Sequence, residues 1–386
     1  WTASNDDSGK KLAAYINDVI AIYKNAGRLC EKVILITHSM GGLVARSACK
    51  SHGAESKVLE ILHGVQPATG APSAYWRMKA GFERPSGSPA GRVWDWLKVY
   101  QMVRHHLKGY PAAWTLGTDG EEVTALLGNM PGGLELLPNK RYVDNQGKKE
   151  WLTFPDEEGK EVRLPQGNTY KEIYLAQEVF YRLVNPEWLD PGKREKTVMP
   201  SKKSSWQKYK TYLSEAEQFH DRLGDYVHPL TYQFCSTGLK TVDRVIFTRE
   251  EAGLFTEIQE GLKQIGVGPL MGMRALQMLV LGQNRLANRG GYRDHIDLAD
   301  RPVGEENGKP LFVVTMQPPT EVGGDGTVPD ASATFLKAQE TIDINNQDEG
   351  SFQRGHQEIF ATRTAQGIVF AGVENLCLER ITEVVG

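Results

Sequence analysis

A run of four apolar residues, Val33-Ile34-Leu35-Ile36, passes directly into Thr37-His38-Ser39-Met40-Gly41-Gly42. A run this short, rich in branched side chains, suits a strand buried on both faces of a parallel sheet. From Gly41 to about Lys50 the chain reads as helix. Upstream, Leu12, Tyr15, Ile16, Val19, Ile20 and Tyr23 recur at helical spacing, and Asn25-Ala26-Gly27 stops the run. Downstream, Val58 to His63 reads as a second strand, followed by the turn-forming segment Gly64-Val65-Gln66-Pro67-Ala68-Thr69-Gly70. Helix, strand, helix, strand predicts a doubly wound, mostly parallel α/β sheet.

At 386 residues the chain holds one large domain with insertions, or two domains. Hydrophobic content of 40% and charged content of 24% exclude global disorder. The balance of 45 basic against 48 acidic residues argues against nucleic-acid binding through overall charge. Cys30, Cys49, Cys235 and Cys377 match neither a zinc site nor a dense disulfide framework, and read as buried free thiols. The longest apolar stretch, Val267 to Leu281, is broken by Arg274 and Gln277 and falls short of the roughly 20 residues a spanning helix needs.

The α/β pattern covers residues 1–72 and gives way at 73–224 to a stretch rich in Trp, Tyr, Pro, Gly and Lys, read as a cap inserted into the sheet. It returns at 225–249 with Thr231-Tyr232-Gln233-Phe234-Cys235, and a second insertion follows at 250–308. Residues 309–386 complete the sheet domain, with strands at Leu311 to Thr315 and Thr341 to Ile344 and a closing helix from Ile368 to Val385.

A serine hydroxyl becomes a useful nucleophile only when a base takes its proton and N–H groups receive the oxyanion. A sharp strand-to-helix turn exposes the side chain and aims the next N–H, here that of Met40, at the developing charge. Small residues are wanted two positions to either side. Gly41 meets this demand, whereas Thr37 stands where glycine is usual. Ser39 is the candidate nucleophile, although a serine after a strand is commonly only a helix cap.

The acid and then the histidine are expected in loops after later strands. Of nine histidines, His38 is expected to point away from Ser39, His63 comes in the wrong order, and His105 and His106 lie on an apparent amphipathic helix. His356, in Gly355-His356-Gln357-Glu358, has the right order and context. The acid is expected at Asp325, in Gly323-Gly324-Asp325-Gly326-Thr327-Val328-Pro329. Read alone, that segment is an Asp-Gly turn without chemistry.

Together these segments resemble the lecithin:cholesterol acyltransferase group of α/β hydrolases and lipases of the GPI inositol-deacylase type. Gly70-Ala71-Pro72, Leu136-Leu137-Pro138-Asn139 and Tyr232 to Thr241 also carry the resemblance. The resemblance implies an α/β-hydrolase fold, hydrolysis of lipid acyl esters at a membrane surface, no cofactor and no metal. The Thr-His-Ser-Met-Gly form is also similar to phospholipase effectors of bacterial type VI secretion, which implies delivery into a target-cell periplasm and an immunity protein as partner. Family members place further strands, and a loop giving a second oxyanion N–H, before the helix that precedes the nucleophile. They are expected upstream of Trp1, so that donor is not assigned. Two alternatives stay open: an acyltransferase using the same acyl-enzyme, and a dead scaffold that binds lipid or a partner.

Other features point less firmly. Val93, Trp96, Leu97, Tyr100, Val103 and Leu107 form a helical stripe that would line an acyl groove or simply pack the cap. The Met-rich Leu270 to Leu281 reads the same two ways. The basic run from Lys193 through Lys202 and Lys203 to Lys210 reads as a solvated face rather than a lipid contact. Asp294, Asp297 and Asp300 lack a calcium-loop spacing.

Overall fold

The computed structural model describes residues 2–80, 120–156, 158–177, 179–192, 204–251, 305–306, 309–310, 312–317, 322–344 and 355–385. The cap stripe at 93–107, the Met-rich stretch, the three aspartates near 297 and most of the basic run lie outside them, as does the Cys377 side chain.

Helix α1 (Asn5–Asn25) leads into strand β1 (Val33–His38), helix α2 (Gly41–His52) and strand β2 (Val58–Gly64). The Ser4 hydroxyl caps α1 by accepting the Asp7 N–H at 3.0 Å. The expected apolar stripe is only partly the buried one. Gly9, Ala13, Ile16 and Ile20 are buried, while Tyr15 and Tyr23 face outward. A Cβ on Gly9 would lie 2.7 Å from the Ser47 Cβ, so small residues let α1 lie tightly against α2.

Helix α3 (Pro72–Ala80), α4 (Gly120–Leu127) and α5 (Pro131–Leu134) follow, then strands β3 (Leu152–Pro155) and β4 (Glu161–Leu164) and helix α6 (Ser205–Leu223). Next come β5 (Thr231–Cys235), β6 (Leu239–Lys240), β7 (Val245–Glu251), β8 (Glu305–Glu306), β9 (Lys309–Pro310), β10 (Phe312–Gln317) and β11 (Val322–Gly324). Helix α7 (Asp330–Ala333), β12 (Glu340–Asp343) and α8 (Arg363–Val385) complete the described order.

The main sheet runs β1-β2-β5-β12, every pairing parallel. Successive strand residues serve opposite layers. Ile61 joins Ile16, Ile20, Ala45 and Ala48 beneath α1 and α2, whereas Leu62 joins Phe234, Ile344, Ile359 and Ala365 on the other side. A buried strand therefore reads as apolar throughout.

The sequence predicts a strand at Leu311 to Thr315 within the sheet domain. A strand is present, but it pairs antiparallel with β7 in a second sheet of order β10-β7-β3-β4. Strands β3 and β4 were not anticipated in the segment read as helical cap. Beside this sheet lies a cluster rich in aromatic residues, including Tyr75, Trp151, Tyr174, Tyr209 and Phe247. Its tyrosines reach main-chain carbonyls: Tyr75 donates to Tyr181 at 2.6 Å, Tyr174 to Pro138 at 2.6 Å and Tyr209 to Tyr174 at 2.9 Å. These three rings are buried with their hydroxyls satisfied, whereas the Tyr170 hydroxyl and the Trp151 indole nitrogen in the same cluster have no hydrogen-bond partner among the described residues.

One carboxylate joins this region to α1. Glu135 is buried, and its Oε2 accepts the Asn5 N–H at 2.7 Å. Burial pushes the Glu135 carboxyl up to about 7, against the lowering effect of the Asn5 hydrogen bonds. The native state thus holds this proton more tightly than the unfolded chain. The group's contribution is most favourable below the ordinary carboxylate range and falls as pH rises towards about 7. Glu135→Gln keeps an acceptor for Asn5 and removes the charge. The variant is expected to be more stable than wild type at pH 8 by about 1–3 kcal/mol, with the gap closing by pH 5. Urea unfolding midpoints at both values test this.

Candidate active site

Strand β1 ends at His38 and α2 begins at Gly41, so the chain reverses within the two residues between them, Ser39 and Met40. Ser39 has φ 54, a left-handed conformation that costs a residue with a Cβ about 1–2 kcal/mol. Its N–H donates to the Gly64 carbonyl at 2.9 Å, tying the turn to the end of β2. Met40 is already helical, with φ −52 and ψ −27. Its N–H is therefore among those at a helix start that lack an intrahelical acceptor, and it follows directly on the serine.

The structure brings the three predicted side chains together. His356 Nε2 lies 2.7 Å from Ser39 Oγ, and His356 Nδ1 donates to Asp325 Oδ2 at 2.5 Å. Asp325 and His356 are 1% and 5% exposed, so their contact is shielded from water, whereas Ser39 is half-buried. The other Asp325 oxygen, Oδ1, accepts the Thr327 and Val328 N–H groups at 2.9 and 2.7 Å. With its lone pairs so committed, the carboxylate is fixed in orientation and its charge is dispersed.

The backbone explains why the acid loop has this sequence. β11 pairs antiparallel with β6, and the Gly326 N–H donates to Thr241 Oγ1 at 2.8 Å. A Cβ on Gly324 would come within 2.4 Å of the Val328 carbonyl oxygen. The Tyr232–Thr241 segment and the Asp325 loop are thus halves of one structure. His356 opens a short 3₁₀ helix, His356–Ala361, and its N–H donates to the Asp325 carbonyl at 2.9 Å.

Thr37, where glycine is usual, makes its own contact: its hydroxyl pairs with His63 Nδ1 at 2.7 Å. Burial drives the His63 pKa down to about 3, so this ring is neutral. His38, expected to point away from Ser39, has a contact of its own that the sequence did not show. Its ring reaches the His356 main chain, with Nε2 2.8 Å from the carbonyl oxygen. Gln66, which follows β2, is another residue that sequence reasoning missed. It is buried against Gly42, and neither amide atom has a hydrogen-bond partner among the described residues. No grouping of His, Cys, Asp and Glu among the described residues is suited to hold a metal ion.

A strained serine at the carboxyl edge of a parallel sheet, with an acid and a histidine from later loops, defines the architecture. The fold is that of the α/β hydrolases. Residues 6–79 match the family model described as a PGAP1-like alpha/beta domain. A chain in the crystal structure of the Tle4-Tli4 complex superposes with a TM-score of 0.64 at 25% identity. That match covers 97% of this chain and 66% of the solved one, so this chain spans just under two thirds of its structural neighbour. No curated protein matches the sequence.

Two segments that carried the resemblance in sequence meet in space. Gly70 has φ 87, and a Cβ there would lie 2.2 Å from the Leu137 carbonyl oxygen. The Ala71 N–H donates to the Leu136 carbonyl and the Asn139 N–H to the Thr69 carbonyl, both at 2.9 Å. From the same turn, Ser73 Oγ donates to the Thr327 carbonyl at 2.6 Å, and Ser332 Oγ accepts the Thr69 N–H at 3.1 Å. Gly70→Ala is therefore expected to cost at least about 2 kcal/mol, because left-handed strain is joined by a backbone clash. Gly147→Ala, at φ 77 with open space around it, is expected to cost only about 1 kcal/mol. Urea denaturation of the two variants makes the comparison.

Proposed function

We propose that this protein is a serine-dependent hydrolase of lipid acyl esters that works through an acyl-enzyme. The observation that carries the proposal is the continuous relay from Ser39 Oγ through the His356 ring to Asp325. Ser39 Oγ attacks the acyl carbonyl while His356 Nε2 takes its proton. Asp325 holds Nδ1 protonated, which keeps the lone pair of Nε2 facing the serine, and it stabilises the imidazolium as it forms. The Met40 N–H donates to the oxyanion. His356 then returns the proton to the departing alcohol, and water attacks the acyl-enzyme with His356 again as base.

The lipid class rests on the sequence resemblance. Because the chain in the Tle4-Tli4 complex is solved with Tli4, we include in the proposal a protein partner for this chain. A role as an effector with an immunity protein belongs to the same reading. No described helix is long and apolar enough to cross a membrane.

Mixed phospholipid vesicles, with products followed by mass spectrometry, test the activity. Wild type is expected to release fatty acid, and Ser39→Ala to release none and to lose labelling by a fluorophosphonate. Asp325→Asn is expected to lower kcat by roughly 10³- to 10⁴-fold, since the amide no longer enforces the productive tautomer. A folded wild-type protein that neither reacts with the probe nor cleaves any ester would refute the reading.

A further inference from the structure

His356 is gripped by two adjacent residues of one turn. Ser39 Oγ lies 2.7 Å from its ring Nε2, and His38 Nε2 lies 2.8 Å from its main-chain oxygen. A carbonyl only accepts, so His38 Nε2 is the donor, as it is in both the suitable neutral tautomer and the charged ring. The His38 ring is also packed, with its centroid 5.0 Å from that of His356 and edge-on to Phe360 at 5.7 Å.

The contact matters because of what carries His356. The 3₁₀ helix His356–Ala361 is six residues long, and its N-cap Gly355 has no side chain with which to cap it. Short 3₁₀ segments have poor internal hydrogen-bond geometry, so their placement depends on outside anchors. Asp325 supplies one, through its main-chain oxygen to the His356 N–H and its carboxylate to Nδ1. These two Asp325 contacts engage the N–H and the ring of His356, and neither engages its carbonyl. His38 holds that carbonyl to the strand that carries the nucleophile.

We propose that His38 is a positioning residue that sets the reach of His356 to Ser39 through the His356 carbonyl. This rests on the hydrolase reading above. The donor on the carbonyl and the nucleophile on the ring are consecutive residues, so a single rigid turn fixes both contacts. A misplacement of about 1 Å in a reacting pair costs on the order of 10²-fold in rate.

Three variants separate this role from simple packing. His38→Phe keeps a ring in place but has no donor, His38→Ala removes both, and His38→Gln restores an N–H at similar reach. With a soluble short-chain ester, Phe and Ala are expected to lower kcat by about 10- to 100-fold with KM within about threefold, and Gln to recover most of the loss. A wild-type kcat in His38→Phe, or a His38→Gln no faster than His38→Ala, overturns the proposal. Crystal structures of wild type and His38→Phe decide it independently of turnover. The His356 Nε2 to Ser39 Oγ separation is expected to exceed hydrogen-bond reach in the variant, and an unchanged separation sinks the idea. Absence of Ser39-dependent hydrolysis in wild type would instead refute the enzyme reading, with the structural comparison still deciding the role of His38.

Discussion

A serine held in the left-handed region stores about 1–2 kcal/mol of strain, and much of the neighbouring structure keeps it from relaxing. The strain cannot be released by sliding β1, because β1 is registered against β2 from Val33 to His38 and the Ser39 N–H continues that ladder to Gly64. Nor can the helix unwind easily. Leu43, Ala45, Ala48 and Cys49 of α2 are buried, and α1 lies against it through Gly9 and Ala13. Packing far from the serine therefore determines where its hydroxyl points. Val65, with φ 48, repeats the sharp reversal at the end of β2, so two neighbouring strands terminate in constrained turns.

A second set of contacts fixes the acid relative to the serine. The Gly70 turn sits between the Leu136-Leu137-Pro138-Asn139 loop and the Asp325 loop, touching each through main-chain or hydroxyl hydrogen bonds. The far side of that loop is held by His220, which pairs with the Asn139 side chain at 3.2 Å and donates from Nε2 to the Glu135 carbonyl at 2.8 Å. Burial pushes the His220 pKa down to about 4, so it stays neutral and its two ring nitrogens take opposite roles. The route from α6 to the Asp325 carboxylate is built of hydrogen bonds between groups largely closed to water. Such contacts hold position well because breaking one leaves a buried group unsatisfied.

What the sequence made legible depends on how local the signal was. The Val33 strand and the Val58 strand were readable because each is a continuous apolar run ended by turn residues, a pattern set by burial on both faces. Asp325 and His356 were singled out by order and by flanking glycines, before anything showed them to be near each other. Residues 311–315 read as a strand for sound reasons, yet a run of Phe, Val and Thr carries no mark of the sheet it joins. That depended on β7, whose own segment had no distinctive flank. Strands β3 and β4 are four residues each, too short for an alternation to stand out. Glu135 and Gln66 left no trace in the sequence at all, since the burial of a lone polar residue is a property of its neighbours.

Thr37 shows how a departure from a pattern can be absorbed. Glycine is favoured two positions before such a serine because a side chain there would crowd the helix start. Here a Cβ on Gly41 would meet the Thr37 Cβ at 3.8 Å, an ordinary contact, so the two positions are not pressed together. The remaining difficulty is polar, since a partly buried hydroxyl needs a partner. The facing strand offers His63 at the position registered with Thr37, and the two pair at 2.7 Å. Burial keeps His63 uncharged, so the pairing adds no net charge one strand away from His356. Threonine is thus accommodated by a compensating residue on β2, and the crowding rule and its exception follow from the same geometry.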